Sequence, residues 1–388
     1  MSYDVIVAGL GGMGSVAAWQ LARRGHSVLG LERFTAGHDQ GSSHGDSRVI
    51  RLAYFEDPAY VPLLQRAFEL WREIEAESGE DLMTLTGGMM IGAEDSQTVA
   101  GALRSAQEWG LPHEMLSAEE ARRRYPHFQL QEGEIAFYEE NAGFVRPERS
   151  SLAHLDRART HGAELHFEES ISSWRPEGDG VVVTTDRGTY RANRLVVAGG
   201  AWSPELLADL QLPLEVQRLT LFWFQPTGSL DLWQPERMPV YIWESREFEQ
   251  IYGFPAIDGP SGGAKVAYFR VGPTVTRPED VDRDVAPQEV ERMRLPLASR
   301  MPQLNGSFLR AKTCLYTNSP DEHFFLGLHP EFPQVSLAAG FSGHGFKFAS
   351  VIGEVLADLA TEQKTAHPIA LFDPQRFAWR ETPQPSSM

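Results

Sequence analysis

The chain contains 388 residues, of which 42% are hydrophobic and 23% charged, and this composition is typical of a soluble globular protein with two or three domains. The 35 Lys and Arg residues against 53 Asp and Glu residues give a formal net charge of −18, which argues against nucleic acid or an anionic membrane as a partner. Cys314 is the single cysteine, so an internal disulfide is excluded and a reducing compartment is favoured. The N-terminus lacks the basic and apolar regions of a signal peptide, and we expect a cytoplasmic protein.

The first predicted elements form a βαβ unit over residues 3–33. The apolar run DVIVAG predicts a buried strand, SVAAWQLARR predicts a helix, and HSVLGLE predicts a second strand that ends at Glu32. In the intervening turn, Gly9 permits a tight bend, Gly11 lets the backbone approach a pyrophosphate, and Gly14 lets the helix lie close to the strand. The helix N-terminus offers free N–H groups to phosphates, and Glu32 can accept hydrogen bonds from ribose hydroxyls. This pattern predicts a dinucleotide site rather than an ordinary glycine-rich turn, and it suits FAD as well as NAD.

Helices and strands alternate only briefly after this unit. The later predicted elements are a long amphipathic helix at 57–77, a helix at 96–110, a β-meander at 181–202, aromatic strands within 215–310, and a strand, glycine-rich turn and helix at 335–360. We predict an α/β fold class, with a Rossmann-like dinucleotide-binding domain that is discontinuous in sequence and an inserted substrate domain built on a mixed or antiparallel β-sheet. The predicted boundaries are 1–85, 148–217 and 311–388 for the first domain, and 86–147 and 218–310 for the second.

Four separated segments carry a resemblance to a known family: GSSHGDSRVIRLAY (41–54), YGFP (252–255), CLYTNSPDEHF (314–324) and GFSGHGFKF (340–348). In their order and their spread over nearly the whole chain they resemble the monomeric sarcosine oxidases and the related N-methyltryptophan oxidases. The resemblance implies a flavin-dependent amine oxidase fold with covalently bound FAD and a monomeric enzyme. It also implies oxidation of the N-methyl group of N-methyl amino acids by dioxygen, which yields an aldehyde, a primary amino acid and hydrogen peroxide.

The cofactor residues are implied by this resemblance. It suggests that Cys314 forms a thioether with the 8α-methyl group of the flavin. From composition alone an inert buried cysteine is the commoner outcome, whereas the polar sequence around Cys314 favours a reactive thiol. Arg48 would lie against the flavin ring and stabilise negative charge on the reduced cofactor, with His44 beside the ring. The other implied cofactor contacts are Gly9, Gly11, Gly12, Gly14, Glu32, Ser43, Ile171, Gly199, Gly343, Gly345 and Lys347.

Two cations are implied to bind the substrate carboxylate. Arg51 can bond both carboxylate oxygens with its guanidinium group, and Lys347 supplies a second positive charge beside the glycine-rich turn. Without the resemblance, Arg48 and Arg51 suit a solvated basic surface. They are three residues apart and would share one side if this segment were helical. Lys347 then suits a surface lysine at a helix start. Tyr252 and Tyr316 are implied to line the substrate cavity, although a plain core position suits each equally well.

Lys265 stands in a predicted strand, where it shares a face with Ala267 and Phe269, and this pattern predicts a partly buried lysine. The common alternative is an edge-strand lysine that blocks aggregation. The resemblance implies that Lys265 activates dioxygen. Sarcosine oxidases carry a histidine four residues after this lysine, and Phe269 replaces that hydrogen-bonding group with an apolar ring. N-methyltryptophan, pipecolate and proline therefore stay open as substrates.

Two other classes of function stay compatible with the sequence. One is a flavin dehydrogenase that passes electrons to a protein or a quinone, which Lys265 disfavours. The other is a flavin-binding module without turnover, which the pair Arg51 and Lys347 disfavours. The favoured partners are dioxygen and a small amino acid with a free carboxylate, with no nucleic acid and no membrane.

Overall fold

The computed structural model describes residues 2–259 and 261–377. Helices and strands alternate at both ends of the chain, and strands dominate its middle. The last part of the predicted first domain, 378–388, lies outside the described residues. The helices are α1 (Gly12–Arg23), α2 (Val61–Ser78), α3 (Gln97–Trp109), α4 (Ala118–Arg124), α5 (Pro147–Thr160), α6 (Ser203–Leu206), α7 (Pro287–Arg300) and α8 (Ala349–Glu362).

The strands of the first half are β1 (Ser2–Ala8), β2 (Val28–Leu31), β3 (Arg48–Ile50), β4 (Met83–Leu85), β5 (Gly88–Ala93), β6 (Glu114–Ser117), β7 (Glu134–Glu139), β8 (Gly143–Val145), β9 (Glu164–His166), β10 (Ile171–Glu177), β11 (Gly180–Thr185) and β12 (Thr189–Val197). Those of the second half are β13 (Glu215–Gln225), β14 (Val240–Trp243), β15 (Ile251–Phe254), β16 (Ala264–Tyr268), β17 (Thr274–Val275), β18 (Ser307–Asn318), β19 (Phe325–Leu328) and β20 (Val335–Ala339).

The first sheet contains the predicted βαβ unit. Its strand order is β10-β11-β12-β1-β2-β9, with β20 paired to β12 and β19 to β20. Strands β9, β2, β1, β12 and β20 run parallel to one another, so their carboxyl ends meet at one edge. The glycine-rich turns after β1 and β20 and the glycines after β12 therefore lie together along that edge, which is where open α/β sheets bind ligands.

The second sheet has the order β17-β13-β16-β15-β14-β5-β7-β6, with β18 paired to β13. Its pairs are antiparallel apart from β14 with β5. A small antiparallel sheet, β3-β8-β4, carries Arg48. The α/β class is thus confirmed, with one mainly parallel sheet and one mainly antiparallel sheet.

Helix α1 packs against both α5 and α8 on the first sheet. It starts directly after the glycine-rich turn, and its N-cap residue, Gly11, supplies no side-chain hydrogen bond. The first N–H groups of the helix are therefore left for other partners. Among the described residues, no helix combines the length and the apolar character needed to cross a bilayer.

The alternative in which Arg48 and Arg51 share one side of a helix does not apply, because Arg48 begins the short strand β3. The helix expected near Lys347 is present: Lys347 lies in a 3₁₀ turn, Phe346–Phe348, and α8 begins at Ala349. Two predicted domain boundaries, 217/218 and 310/311, fall inside strands β13 and β18, and the division into domains stays a prediction.

Candidate active site

A large cavity opens at the carboxyl edge of the first sheet, beside the N-terminus of α1. Its lining contains ten of the predicted cofactor residues: Gly9, Gly11, Gly12, Glu32, Ser43, Arg48, Ile171, Gly199, Gly343 and Gly345. Trp202, His38 and Phe346 also line it, and none of the three was among the predicted cofactor residues. Of the remaining predicted cofactor residues, Gly14, His44, Cys314 and Lys347 lie outside this lining.

The glycines of the first turn divide into two kinds. A Cβ on Gly9 would lie 2.6 Å from Ala198 O, and one on Gly14 would lie 1.8 Å from Gly9 O, so both are needed for close packing of the backbone. A Cβ on Gly11 would meet only Ser43 Oγ, at 3.8 Å. The open side of Gly11 therefore belongs to the cavity, where a phosphate group can approach the backbone.

Glu32 is buried at the end of β2, and its carboxylate has a fixed orientation. Oε2 accepts a hydrogen bond from Leu10 N at 2.8 Å, and Oε1 accepts one from Phe34 N at 3.0 Å. His38 Nε2 lies 3.4 Å from Oε1. Each carboxylate oxygen keeps a further acceptor position, which suits the predicted contact with ribose hydroxyls.

A second, smaller cavity adjoins the first. Its lining consists of Arg48, Val49, Arg51, Phe55, Glu56, Ile242, Tyr252, Phe269, Gly343, His344, Phe346 and Lys347. Arg48, Gly343 and Phe346 line both cavities, so a ligand in one would lie next to a ligand in the other. The predicted carboxylate-binding residues, Arg51 and Lys347, are brought together here.

Arg51 is held deep in the smaller cavity, with only 1% of its surface exposed. Nη1 donates to Ala53 O at 2.8 Å, and Nη2 donates to Glu56 Oε2 at 2.5 Å. The guanidinium carbon lies 4.2 Å and 4.1 Å from the ring centres of Tyr54 and Phe55. Arg51 Nε has no hydrogen-bond partner among the described residues, so one N–H group of this buried cation is left for an anion.

Glu56 is the functional residue of this cavity that sequence analysis missed. Burial, the largest single influence, raises the pKa of Glu56, but the charges of Arg51, His344 and Lys347 and the hydrogen bond from Arg51 together lower it to about 2. An internal carboxylate therefore occupies part of the guanidinium group that a substrate carboxylate would need. An acidic residue five positions after Arg51, in RLAYFE, was the available signal.

Lys347 is 5% exposed and points its ammonium group toward the same cavity. Nζ donates to His344 O at 2.7 Å and lies 5.2 Å from the ring centre of Tyr54. Burial, followed by the charge of Arg51, lowers the pKa of Lys347 to about 7. A carboxylate bound beside Lys347 would favour its protonated form and gain a charged hydrogen bond.

Aromatic rings form one wall of the smaller cavity. Tyr252 Oη lies 3.3 Å from Tyr316 Oη, and the ring of Phe269 stands nearly perpendicular to that of Tyr252 at 6.3 Å between centres. The Phe269 and Tyr316 ring centres lie 6.4 Å apart. Tyr252 and Phe269 line the smaller cavity, and Tyr316 lines the larger one. Phe269 gives this wall no polar group with which to bind a substrate amine.

Cys314 lies on β18 next to Arg48, and it is only 1% exposed. The sequence pattern suggested a polar setting that disfavours burial, and this was wrong because β18 pairs along β13 and buries its inner residues. Burial raises the pKa of the Cys314 thiol, although the charges of Arg48 and Lys265 oppose that rise. Arg48 Nη2 lies 3.4 Å from Sγ, close enough to stabilise a thiolate.

Lys265 lies on β16, between β13 and β15, so it is a central-strand residue and not an edge lysine. It is 2% exposed, and Nζ donates to Gly45 O at 2.8 Å and to Ser47 O at 2.6 Å. Burial, and then the charge of Arg48, holds the pKa of Lys265 well below its usual value. Among the described residues, Lys265 does not line either cavity. It contacts the backbone of the loop that precedes Arg48.

His44 is buried in the same loop, and neither ring nitrogen has a hydrogen-bond partner among the described residues. Burial, followed by the charge of Arg48, lowers the pKa of His44 to about 3, so the ring is neutral. A neutral imidazole with two unused nitrogens beside the larger cavity suits a polar ligand edge.

A family model described as FAD dependent oxidoreductase matches residues 4–359 of the chain. The chain belongs to this family of FAD-dependent oxidoreductases. It is 55% identical, over 97% of its length and 98% of the relative, to a protein of Streptomyces avermitilis called monomeric sarcosine oxidase. It is 32% identical, over 97% of its length and all of the relative, to N-methyl-L-tryptophan oxidase of Salmonella dublin. The solved structure of NikD, an unusual amino acid oxidase essential for nikkomycin biosynthesis, superposes with a TM-score of 0.85 at 28% identity and covers 96% of this chain and 97% of that one.

The larger cavity has the features that FAD requires. The open side of Gly11 and the uncapped N-terminus of α1 suit the pyrophosphate, and Glu32 suits a ribose. At the other end, Arg48 lines the cavity and supplies positive charge for the flavin ring, while His44 lies in the adjoining loop outside the lining. These observations fit FAD in the larger cavity and leave the smaller cavity for a substrate.

Proposed function

We propose that this enzyme oxidises the N-methyl group of N-methyl amino acids such as sarcosine with dioxygen as acceptor, and that it releases an aldehyde, an amino acid and hydrogen peroxide. One observation carries the proposal: two buried cations, Arg51 and Lys347, face a small cavity that adjoins the FAD cavity at Arg48 and Phe346. A small amino acid held there by its carboxylate has its N-substituent beside the cofactor. The similarity to sarcosine and N-methyltryptophan oxidases supports the same reaction class.

Arg51 and Lys347 bind the substrate carboxylate in this proposal. Among the described residues Arg51 Nε has no partner, and Lys347 Nζ donates to His344 O with one of its three N–H groups. When the substrate binds, Arg51 either leaves Glu56 or bonds both carboxylates at once, because the guanidinium group has five N–H donors. The apolar surfaces of Phe55 and Phe269 exclude water around the remainder of the substrate.

FAD, when bound, accepts the hydride equivalent of the substrate C–H bond and returns two electrons to dioxygen. Arg48 supplies positive charge where negative charge develops on the cofactor, and its contact with Cys314 supports a thiolate. We infer that Cys314 Sγ is the point of covalent attachment. That reaction replaces one S–H and one C–H bond with an S–C bond, and dioxygen takes the two hydrogens.

Lys265 supplies the positive charge for the reaction with dioxygen in this proposal. Its ammonium group is fixed by two carbonyl groups of the loop between His44 and Arg48, and Arg48 lines the larger cavity. A fixed cation lowers the free energy of a transition state in which an electron moves to dioxygen.

The deciding experiment measures two half-reactions separately with the purified holoenzyme. Anaerobic mixing with sarcosine, N-methyltryptophan, proline or pipecolate should bleach the flavin absorbance, and readmission of air should restore it with formation of hydrogen peroxide. Bleaching without peroxide would identify a dehydrogenase. No bleaching by any of the four compounds would contradict oxidation of secondary amino acids.

A second substrate class is favoured by Phe269. This ring removes a polar partner from the amine side of the cavity and adds apolar surface, which suits a larger or cyclic secondary amino acid. The four-substrate comparison therefore also ranks N-methyltryptophan, pipecolate and proline against sarcosine. We further infer that the protein is a cytoplasmic monomer. Light scattering of the protein as it elutes from a sizing column tests its oligomeric state.

A further inference from the structure

Glu148 is a half-buried carboxylate to which the proposed chemistry gives no role. It is the second residue of α5, where the helix dipole favours an anion. Oε1 accepts hydrogen bonds from Gly45 N at 2.5 Å and from Asp46 N at 3.2 Å, and Oε2 lies 3.2 Å from Asp46 N. One carboxylate therefore holds two successive backbone N–H groups of the loop 45–47.

The carbonyl groups of the same loop hold two cations. Gly45 O and Ser47 O each accept a hydrogen bond from Lys265 Nζ, at 2.8 Å and 2.6 Å. Ser47 O also accepts one from Arg48 Nη1 at 2.8 Å. The carbonyl of Ser47 thus joins the ammonium group of Lys265 to the guanidinium group of Arg48, which lines both cavities.

The backbone of this loop needs an external support. Asp46 has a φ of 69°, a left-handed conformation that is unfavourable for a residue with a Cβ, and Gly45 has a φ of 90°. Such a conformation persists where the surroundings over-determine it. The contacts from Glu148 reach the N–H groups of these two residues and so provide that support.

Glu148 is also the nearby negative charge that is not neutralised by another cation. The titratable groups whose charge influences Lys265 include Arg48, Asp46, Glu148 and Cys314. The Asp46 carboxylate accepts a hydrogen bond from Arg310 at 2.6 Å, whereas Glu148 takes part in no ion pair among the described residues. Burial and Arg48 lower the pKa of Lys265, and the negative charges of Asp46 and Glu148 oppose that change.

We propose that Glu148 is a positioning residue for the reaction with dioxygen: it fixes the loop 45–47, whose carbonyl groups hold Lys265 and Arg48 side by side, and it stabilises the ammonium form of Lys265. The proposal rests on the role given to Lys265 in the proposed function. Glu148 takes no part in binding the amino acid in this proposal, because it lies outside the smaller cavity.

The kinetic test compares Glu148→Gln with the wild-type holoenzyme. Glutamine keeps an acceptor oxygen for the backbone N–H groups but removes the charge. Reaction of the reduced holoenzyme with dioxygen should slow about tenfold, because a fixed cation lowers the free energy of electron transfer to dioxygen. Reduction by sarcosine, or by the best substrate of the panel, should change by less than about twofold. Equal slowing of both half-reactions, or no slowing of either, would overturn the proposal.

A matched control exists elsewhere in the chain. Glu75 Oε1 accepts hydrogen bonds from two successive backbone N–H groups, of Leu82 and Met83, at 2.8 Å and 2.7 Å, and it lines neither cavity. Glu75→Gln makes the same chemical change at a loop without Lys265. Both half-reactions of this variant should match those of the wild type.

A double-mutant cycle separates the failure of this inference from the failure of the proposed function. If Lys265→Met slows the dioxygen reaction and Glu148→Gln adds no further slowing in that background, Glu148 acts through Lys265. If Lys265→Met leaves the dioxygen reaction unchanged, the role of Lys265 in the proposed function is wrong. If Glu148→Gln slows the reaction equally with and without Lys265, the positioning role is wrong.

A second readout is independent of turnover. The lysines of the sequence are Lys265, Lys312, Lys347 and Lys364, so carbon-13 labelling of the lysine ε-carbons gives a simple NMR spectrum. Single Lys→Arg variants assign the signals. In Glu148→Gln the pKa of Lys265 should fall, because a negative charge that favours its ammonium form is removed. An unshifted Lys265 signal would overturn the stabilisation of its ammonium form by Glu148.

Discussion

Lys347 and Arg51 share one buried site but hold their charges differently. A guanidinium group keeps its charge in proteins, whereas burial and the neighbouring Arg51 lower the pKa of Lys347 to about 7. The arginine already has a buried carboxylate partner, Glu56, at 2.5 Å. Lys347 is therefore the cation whose charge depends on whether a substrate carboxylate is present.

Removal of Lys347 tests the carboxylate site at the level of one side chain. In Lys347→Met the KM for sarcosine should rise by tens-fold, because a charged hydrogen bond contributes about 1.5–3 kcal/mol. Lys364→Met is the control, since Lys364 is exposed and distant from both cavities. Steady-state kinetics measure both variants. An unchanged KM in Lys347→Met would remove Lys347 from the carboxylate site.

The pKa of Lys347 also predicts how binding depends on pH. The ammonium form, which favours a carboxylate, is present below about pH 7 and is lost as the pH rises through that value. The Kd of methoxyacetate, which has the shape of sarcosine without a titrating amine, should therefore rise up to about tenfold per pH unit above 7. Perturbation of the flavin spectrum measures this Kd. Lys347→Met should give a flatter profile, and an equally steep profile would contradict the assignment.

At the scale of elements, Arg51 owes its position to a loop that is attached to β7. Glu139, the last residue of β7, is buried, and its Oε2 accepts hydrogen bonds from Leu52 N at 3.2 Å and Ala53 N at 3.0 Å. Ala53 O in turn accepts from Arg51 Nη1. The strand thereby fixes the loop, and the loop fixes the guanidinium group.

Glu139 predicts a pH-dependent difference in stability. Burial raises the pKa of Glu139 from 4.5 to about 7 in the folded protein. Its protonated form is favoured on folding, so its contribution is complete below about pH 4.5 and is lost as the pH rises to about 7. Relative to Glu139→Gln, in which residue 139 does not titrate, the free energy of unfolding of the wild type should fall by about 3 kcal/mol over that range. Calorimetric Tm values at pH 5 and pH 8 measure the change, and a constant Tm difference would contradict it.

The elements differ in how well the sequence predicts them. The βαβ unit was correct because its glycines and apolar runs are local signals, and β1, α1 and β2 lie within residues 3–33 except at the first residue. The site residues around Lys265 depend on contacts between distant segments: Gly45 and Ser47 meet Lys265 across more than two hundred residues of chain. For Glu56 the signal was its place five positions after Arg51, whereas Glu148 gave none, because a carboxylate that holds a loop has no fixed spacing from it. The burial of Cys314 likewise follows from the pairing of β18 with β13.

On the scale of the whole molecule, the FAD cavity joins segments that are far apart in the sequence. Its lining comes from residues near the N-terminus, from the segment after β12, from within β18 and from the turn after β20. A cofactor in this cavity contacts all of these segments at once, so the folded chain binds it and the unfolded chain does not. Folding stability and cofactor binding are therefore linked by mass action.

The linkage distinguishes covalent from reversible attachment of FAD. If Cys314 carries the cofactor covalently, the Tm of the wild-type holoenzyme should not depend on added FAD. In Cys314→Ser the cofactor can dissociate, and each tenfold increase in free FAD above its Kd should add about 1.4 kcal/mol to stability, or roughly 1–3 °C in Tm. Differential scanning calorimetry over a series of FAD concentrations measures both proteins, and flavin retained by the acid-precipitated wild type provides the matching chemical test. A Tm that rises with FAD equally in both proteins would show that Cys314 does not attach the cofactor, because mass action then governs binding with and without the thiol.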